Sequence, residues 1–452
     1  MKFIVINFDT IAKRISKLRH NLDRNLEFDY RADISQISSF KLTLGYRVNN
    51  TERKSLLFVH HSSAHGGAGK SMLKAIDSLN CYYDIVLAYP VGFSIPKSFE
   101  NYNIRIVEYN TRPVLFPCYS GGSSLLSIGA LRFFLERRKF EIQITSIIKD
   151  VQPDLVLLNS ITLAYLGRTI EACNTKVLCF VRETVNARMS LVRRVYLKWL
   201  NYFDMVFFIS AYDQRMFSGL NANSSVLRNT YDACDALGNG PVDKFDQNDT
   251  NPLKVLYVGG DSVIKGYFNL LKVCRKLYAQ GANSLEPSYR FTVCGNIGSD
   301  DGSLKGRCVK YVKSMITRAI FPNIDEAIAN GWLIMVGEVE SLKLHYWATD
   351  VVFLPIQKPH QQRPIFEAGA EGKPVLVPDF DCLLESLEDG ITGLFYNHID
   401  IYSALQSLER FASDRALVHK MGAAGRLKSE KDHSFESYRK NILKHVAALV
   451  GN

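Results

Sequence analysis

The chain has 452 residues, 47% hydrophobic, 22% charged and 11% aromatic. That is too long for one hydrophobic core at roughly 100–200 residues per domain, and too apolar for a disordered chain. A single small binding module is excluded. The net charge of +10 is unevenly placed: residues 1–200 hold 28 Lys and Arg against 16 Asp and Glu, and residues 201–452 hold 27 against 29. A basic first part fits a nucleic acid, an anionic membrane surface or an acidic substrate, and charge alone does not choose among them.

Nine cysteines, scattered and without a Cys-x-x-Cys pair, suit small buried side chains in a reducing cytosol. Neither a disulfide framework nor a zinc site is expected. The apolar run at the N-terminus ends at Asp9, too short for a signal peptide. No stretch reaches the about 18–20 apolar residues of a membrane-spanning helix. The expectation is a cytoplasmic protein, soluble or peripheral on a membrane.

In chain order, residues 10–27 place Ile11, Ile15, Leu18, Leu22 and Leu26 on one helical face, with Lys13, Arg14, Lys17, Arg19 and Arg24 around it. Such a helix either lies on an anionic membrane or packs on the body with a solvated basic face. From residue 55, short apolar runs alternate with helix-length segments. Strands are expected at 56–60, 85–88, 105–108, 155–158, 177–181, 205–209 and 225–227. Residues 231–254, dense in Gly, Pro, Asn and Asp, read as a linker. The alternation then restarts at 255–258, 291–294, 333–336, 351–354 and 375–377. Continuous apolar strands alternating with helices imply parallel sheets covered on both faces. The expected class is therefore α/β, with two doubly wound Rossmann-like domains. The boundaries are a helical extension at 1–50, a first domain at 51–232, a linker at 233–253, a second domain at 254–430 and a closing helix at 431–452.

Ligands of open α/β sheets collect beyond the carboxyl ends of strands. There the first strand runs through His60 and His61 into His65-Gly66-Gly67-Ala68-Gly69-Lys70-Ser71, followed by Met72, Ala75, Ile76 and Leu79 on one helical face. A glycine-rich strand-to-helix turn lets backbone N–H groups and the helix dipole meet an anion, so phosphate binding is expected. Gly69-Lys70-Ser71 also suggests a P-loop nucleotide hydrolase, but that motif requires glycine where Ala64 stands. A tight turn built only for packing is the other alternative.

In the second part, Val258-Gly259-Gly260 leads to Lys265-Gly266 ahead of a helix. Val293-Cys294-Gly295 and Val336-Gly337-Glu338-Val339 end two later strands. The most specific stretch is Arg363-Pro364-Ile365-Phe366-Glu367-Ala368-Gly369-Ala370-Glu371-Gly372-Lys373-Pro374-Val375. These motifs resemble the second domain of family four (group 1) of the retaining, nucleotide-sugar-dependent glycosyltransferases of GT-B fold. The resemblance covers about residues 55–450, densest at 250–400. It implies two Rossmann-like domains facing across a cleft, with a last helix that crosses back to the first domain.

The resemblance also implies roles. Lys265 grips the donor diphosphate and Glu367 holds the ribose. Gly66, Gly67, Gly259, Gly260, Gly295, Val336, Gly337, Val339, Arg363, Pro364, Ile365 and Phe366 line the donor. The chain departs from the pattern twice: Gly260 stands where the family has a second phosphate-binding Arg, and Pro359 where it has the first carboxylate of a Glu-x₇-Glu pair. His360 or Gln361 could replace that carboxylate. In the first domain, Ile209-Ser210-x-Tyr212 and Arg228-Asn229-x-x-Asp232 resemble family turns. His65, Asn159, Arg182 and Glu183 are the residues expected on the acceptor side, with no family-type histidine at those strand ends.

The expected activity is transfer of a sugar, with retention and without a metal or resident cofactor, from a nucleotide sugar to a saccharide or lipid-linked acceptor. Cell-surface polysaccharide or glycolipid synthesis is the expected setting. The basic first domain would face the acceptor or an anionic membrane, and no nucleic-acid module is present. A nucleotide-sugar-binding protein without catalysis is the main alternative.

Overall fold

The computed structural model describes residues 53–61, 67–91, 99, 102–110, 113–186, 188–231, 251–281, 288–298, 304–339 and 341–451. The basic helix expected at 10–27, the turn residues His65 and Gly66, and most of the linker lie outside them.

The first sheet has seven strands: β1 (Ser55–Val59), β2 (Asp84–Pro90), β3 (Ile104–Tyr109), β4 (Leu155–Leu158), β5 (Lys176–Val181), β6 (Met205–Phe208) and β7 (Asn223–Val226). Their order is β3-β2-β1-β4-β5-β6-β7, every pair parallel. The second has β8 (Leu253–Val258), β9 (Tyr289–Cys294), β10 (Leu333–Gly337), β11 (Val351–Phe353), β12 (Val375–Pro378) and β13 (Gly393–Tyr396) in the order β10-β9-β8-β11-β12-β13, again all parallel. The two orders are equivalent although the sequences do not repeat. Each reverses direction beside its first strand, between β1 and β4 and between β8 and β11. That is where a doubly wound sheet opens a ligand crevice.

Helices cover both faces. In the first half they are α1 (Gly67–Leu79), α2 (Ile128–Val151), α3 (Gly167–Glu171), α4 (Ser190–Leu200) and α5 (Ala211–Met216). In the second they are α6 (Tyr267–Gly281), α7 (Leu304–Ile320), α8 (Ile324–Ala329), α9 (Lys343–Trp347), α10 (Arg363–Ala370), α11 (Ser403–Ser413) and α12 (Arg415–His433), with α13 (Phe435–Val450) closing the chain. The predicted stripe of α1 is fully buried at Met72, Ala75, Ile76 and Leu79. Strand β13 was not anticipated; its short Gly-Leu-Phe-Tyr run follows a turn and carries no alternation to announce it.

The last helix does cross back. Ser434 caps it by accepting from Ser437 N, and Gly451 ends it in the left-handed region. Between them Tyr438, Ile442 and Val446 bury into the core formed by Met72, Ile76, Leu56 and Phe58 of the first domain. Three such side chains stabilise the docking by roughly 1.5–3 kcal/mol each. Two expected boundaries move. The second domain opens at Leu253, and α12 runs to His433, so the turn into the last helix falls at Ser434 and not at 431. No helix among the described residues is long and apolar enough to cross a membrane.

Candidate active site

The donor-side residues gather at the carboxyl ends of β8, β9, β10 and β11. Gly259 and Gly260 follow β8, and both N–H groups donate to Cys294 O at 2.9 Å, which ties the β8 loop to the end of β9. Gly295 N in turn donates to Gly337 O at 2.6 Å, which brings Val336, Gly337 and Val339 beside them. Gly260 has φ +56°, and a Cβ there would lie 2.1 Å from Asn296 O. No side chain fits, so the phosphate-binding Arg of the resemblance is excluded by backbone contact. Gly266 is similar: at φ +93° a Cβ would lie 1.8 Å from Pro355 O. This close approach anchors the loop that carries Lys265 against the segment after β11, where Gln357 N also donates to Ile264 O at 3.1 Å.

Lys265 is exposed in the cleft, yet enough protein surrounds it for desolvation to push its pKa down, while Glu367 and Glu338 act to raise it. The two residues expected to do chemistry are therefore close enough for the Glu367 charge to act on Lys265. Glu367, one turn into α10, accepts from Arg363 Nε at 3.0 Å and from the buried Tyr346 hydroxyl at 3.2 Å. Both partners hold the carboxylate in a fixed orientation. Pro364 sits in the first turn of α10, where a missing N–H costs nothing. Ile365 and Phe366 are buried beneath it.

The segment 359–361 does not rebuild the missing carboxylate. The Pro359 carbonyl accepts a hydrogen bond from Ser120 Oγ of the first domain. Gln361 Nε2 donates to Ser210 Oγ at 3.0 Å and Cys382 O at 2.7 Å, and its Oε1 accepts from Ser386 Oγ at 3.2 Å, so this side chain is committed to joining the domains. His360 remains near Lys265; burial lowers its pKa first, and the Lys265 charge adds to the effect.

Across the cleft, Gly67 opens α1 with its α-carbon near Arg363: a Cβ there would touch Arg363 Cδ at 3.4 Å. Asn159 is fully buried and links three elements. Its Nδ2 meets His60 Nδ1 at 3.1 Å and donates to Ala68 O at 3.0 Å, and its Oδ1 accepts from Arg182 Nε at 2.8 Å. Arg182 Nη1 donates to Asn229 Oδ1 at 3.1 Å. Its buried Nη2 finds no acceptor of good geometry among the described residues, although the Tyr438 hydroxyl is close enough to interact with it. Glu183 turns inward instead, accepting from Ser160 Oγ at 2.6 Å and Ile161 N at 3.0 Å. Burial raises its pKa and these two bonds oppose the rise. Gly69, Lys70 and Ser71 all lie inside α1, with Lys70 exposed and Ser71 bonded to Gly67 O and Arg363.

A cavity of about 190 Å³ separates these two groups; it is lined by Gly67, Ser71, Arg182 and Asn229 on one side and Gln362, Arg363, Phe366 and Glu385 on the other. Lys265 and Glu367 are not among its walls. Arg363 belongs to both, lining the cavity and donating to Glu367 of the donor-side cluster. The far wall of the cavity holds contacts that the sequence did not announce. Arg228 Nε donates to Glu385 Oε1 at 3.0 Å, and Glu385 Oε2 accepts from Ala211 N at 2.8 Å. Arg228 and Glu385 each stood inside a recognisable motif, but nothing in either motif paired them.

Residues 242–428 match the family model described as Glycosyl transferases group 1. The second domain is thus similar to the group 1 glycosyltransferases. No curated protein matches the chain in sequence. Among solved structures the chain is similar to Anabaena HepE in complex with UDP-glucose, at 15% identity and TM-score 0.64, over 87% of this chain and 99% of that one. It is also similar to sucrose-phosphate synthase from Thermosynechococcus elongatus, at 14% identity and TM-score 0.66, over 88% and 100%. A third is a glycosyltransferase from Rickettsia africae, at 15% identity and TM-score 0.62, over 88% and 99%. These likenesses place the whole described body in the GT-B fold.

Proposed function

We propose that this group 1 protein transfers a sugar from a nucleotide-diphosphate sugar to a saccharide or lipid-linked acceptor, with retention and without a metal, in the synthesis of cell-surface polysaccharide or glycolipid. The observation that carries the reading is the cluster of Lys265, Glu367 and Arg363 at the switch point of the second sheet. The donor diphosphate lies against Lys265, whose ammonium meets the charge that builds as the bond to the sugar breaks. Glu367, already oriented by Arg363 and Tyr346, accepts the ribose hydroxyls. The anomeric carbon–oxygen bond breaks with its electron pair leaving on the phosphate. The acceptor hydroxyl oxygen joins the same carbon from the same face, and its proton passes to the departing phosphate oxygen. Arg182 and the N-terminus of α1 stand opposite and add donors for the phosphate. The protein would work in the cytoplasm, peripheral to the inner face of a membrane.

A second reading, a nucleotide-sugar-binding protein without turnover, is favoured by one observation: neither Gly260 nor Pro359 offers the group found in the family pattern, and the fold leaves no room for one at 260. The nucleotide-hydrolase alternative is weakened by Lys70, which lies exposed on α1. Incubation with a panel of nucleotide sugars, scoring binding and slow donor hydrolysis with and without a chelator, tests the choice. Turnover that survives the chelator supports transfer. Binding without turnover, even with lipid-linked acceptors, supports the second reading.

A further inference from the structure

Helix α2 is apolar on both faces. Its inner face, with Ala130, Phe133, Phe140, Ile144, Ile147 and Ile148, is buried in the first-domain core. Its outer face carries Ile128, Leu131, Leu135 and Ile142, with Leu126 before the helix and Phe134 beside them, and each is more than half exposed. Large apolar side chains exposed in a stripe of this kind mark an interaction surface. From Ile128 to Ile142 the stripe runs about 21 Å.

We infer that the outer face of α2 seats on the surface of an anionic phospholipid bilayer, with the helix lying in the interface plane. Charge argues for this occupant. The exposed Arg132 and Lys139 flank the stripe. Arg132 pairs with Glu136 at 2.7 Å and Arg138 with Glu141 at 3.6 Å, and Lys and Arg still outnumber Asp and Glu over α2 and α4, leaving this face net basic. Arg138 stands inside the stripe itself. Against a second copy of this chain its ion pair with Glu141 would be buried in an apolar seam, whereas at a bilayer its stem lies along the acyl boundary and its head reaches the phosphates. Position argues for it too. The loop leading into α2 touches the second domain, through Ser120 Oγ on the Pro359 carbonyl and through Gly121, where a Cβ would lie 3.4 Å from Ile264 Cγ2. Ile264 precedes Lys265. The loop that leads into the apolar face thus touches the residue beside Lys265, on the side from which a lipid-linked acceptor would be drawn. This relevance to the acceptor rests on the proposed transfer reading, while the membrane contact does not.

Flotation of the full chain with vesicles of phosphatidylglycerol and phosphatidylcholine tests it. The protein floats, less so as salt rises or phosphatidylglycerol is withdrawn, and Leu131→Glu with Leu135→Glu lowers the bound fraction at least tenfold. Leu135→Trp, which keeps the stripe apolar, gives a blue shift of emission when vesicles are added. Flotation of the double variant equal to that of the wild-type chain, or no blue shift, overturns the inference. So does a dimer in light scattering that the double variant dissociates. Uridine diphosphate binding, measured on the same proteins without lipid, is unchanged by the double variant. Its absence from every form would sink the transfer reading and leave the vesicle result standing.

Discussion

Arg363 holds Glu367 and the first domain at once: its Nε donates to Glu367 Oε1 at 3.0 Å, and its Nη1 reaches Ser71 Oγ at 3.1 Å. Its Nη2 also donates to Thr230 O at 3.3 Å, and its guanidinium lies over the Phe366 ring at 5.4 Å. One planar fork therefore couples the orientation of a donor-side carboxylate to the closeness of the two domains. Lysine, with a single point of charge, cannot make these contacts together.

Arg363→Lys is accordingly expected to lower donor affinity about tenfold, the loss of about one charged hydrogen bond, with Arg363→Ala worse. Calorimetric titration with the preferred nucleotide sugar checks this. Equal affinity in all three proteins would show that the fork only joins the domains.

Introducing the missing family residue does not help. Gly260→Arg forces a Cβ to within 2.1 Å of Asn296 O at φ +56°, and a loss of ~3 kcal/mol or more in stability is expected. Urea unfolding measures it. A well-folded variant with tighter donor binding would contradict the account of this loop.

Much of the fold is legible in the sequence. Most of the strands from β1 to β12 announce themselves because buried parallel strands read as continuous Val, Ile, Leu and Phe runs. The edge strands β3 and β7 do so less because they are half-exposed and polar. The α1 and α13 faces are legible because their apolar residues repeat at helical spacing. Lys265 and Glu367 were legible only through motif resemblance; a lone Lys-Gly or a carboxylate near a helix start has no signature of its own. The links between the domains were not legible. Gln361 meets Ser210 across 151 positions of chain and Arg228 meets Glu385 across 157, and no local pattern encodes a contact set by the docking of two sheets. The outer face of α2 was hidden for a different reason: a helix apolar on both faces shows little periodicity.

The Arg228 and Glu385 pair gives a third prediction. The side chains are 37% and 20% exposed, so solvent screens the pair and a double-mutant cycle should return a coupling of about 1 kcal/mol. Glu385→Ala alone should cost more, about 2 kcal/mol, because Ala211 N and Tyr212 N at the start of α5 lose their acceptor. Equal losses from both single variants would contradict the second role.

A fourth concerns acid. Burial lowers His433 from 6.5 to about 4, and burial with the His60 and Arg182 charges lowers His61 from 6.5 to about 3. In both cases the unfolded chain takes up protons first. The stability they preserve is complete above pH 6.5 and is lost as pH falls toward these folded values. Asp213 acts in the opposite sense: burial raises it from 3.8 to about 6, so the folded state gains a proton first and acid stabilises it between those values. Thermal unfolding from pH 7 to pH 4.5 should therefore show a net loss that His433→Gln reduces by about 2 kcal/mol. An unchanged slope in that variant would remove His433 from the account.

Isothermal titration of the wild-type chain and of Lys265→Ala with nucleotide sugars tests whether Lys265 meets the diphosphate of a nucleotide-sugar donor. One nucleotide sugar is expected to bind with chelator present, and Lys265→Ala to weaken it by ~1.5–3 kcal/mol, the worth of a charged hydrogen bond. Unchanged affinity in Lys265→Ala, or ATP hydrolysis abolished by Lys70→Ala, would contradict this reading.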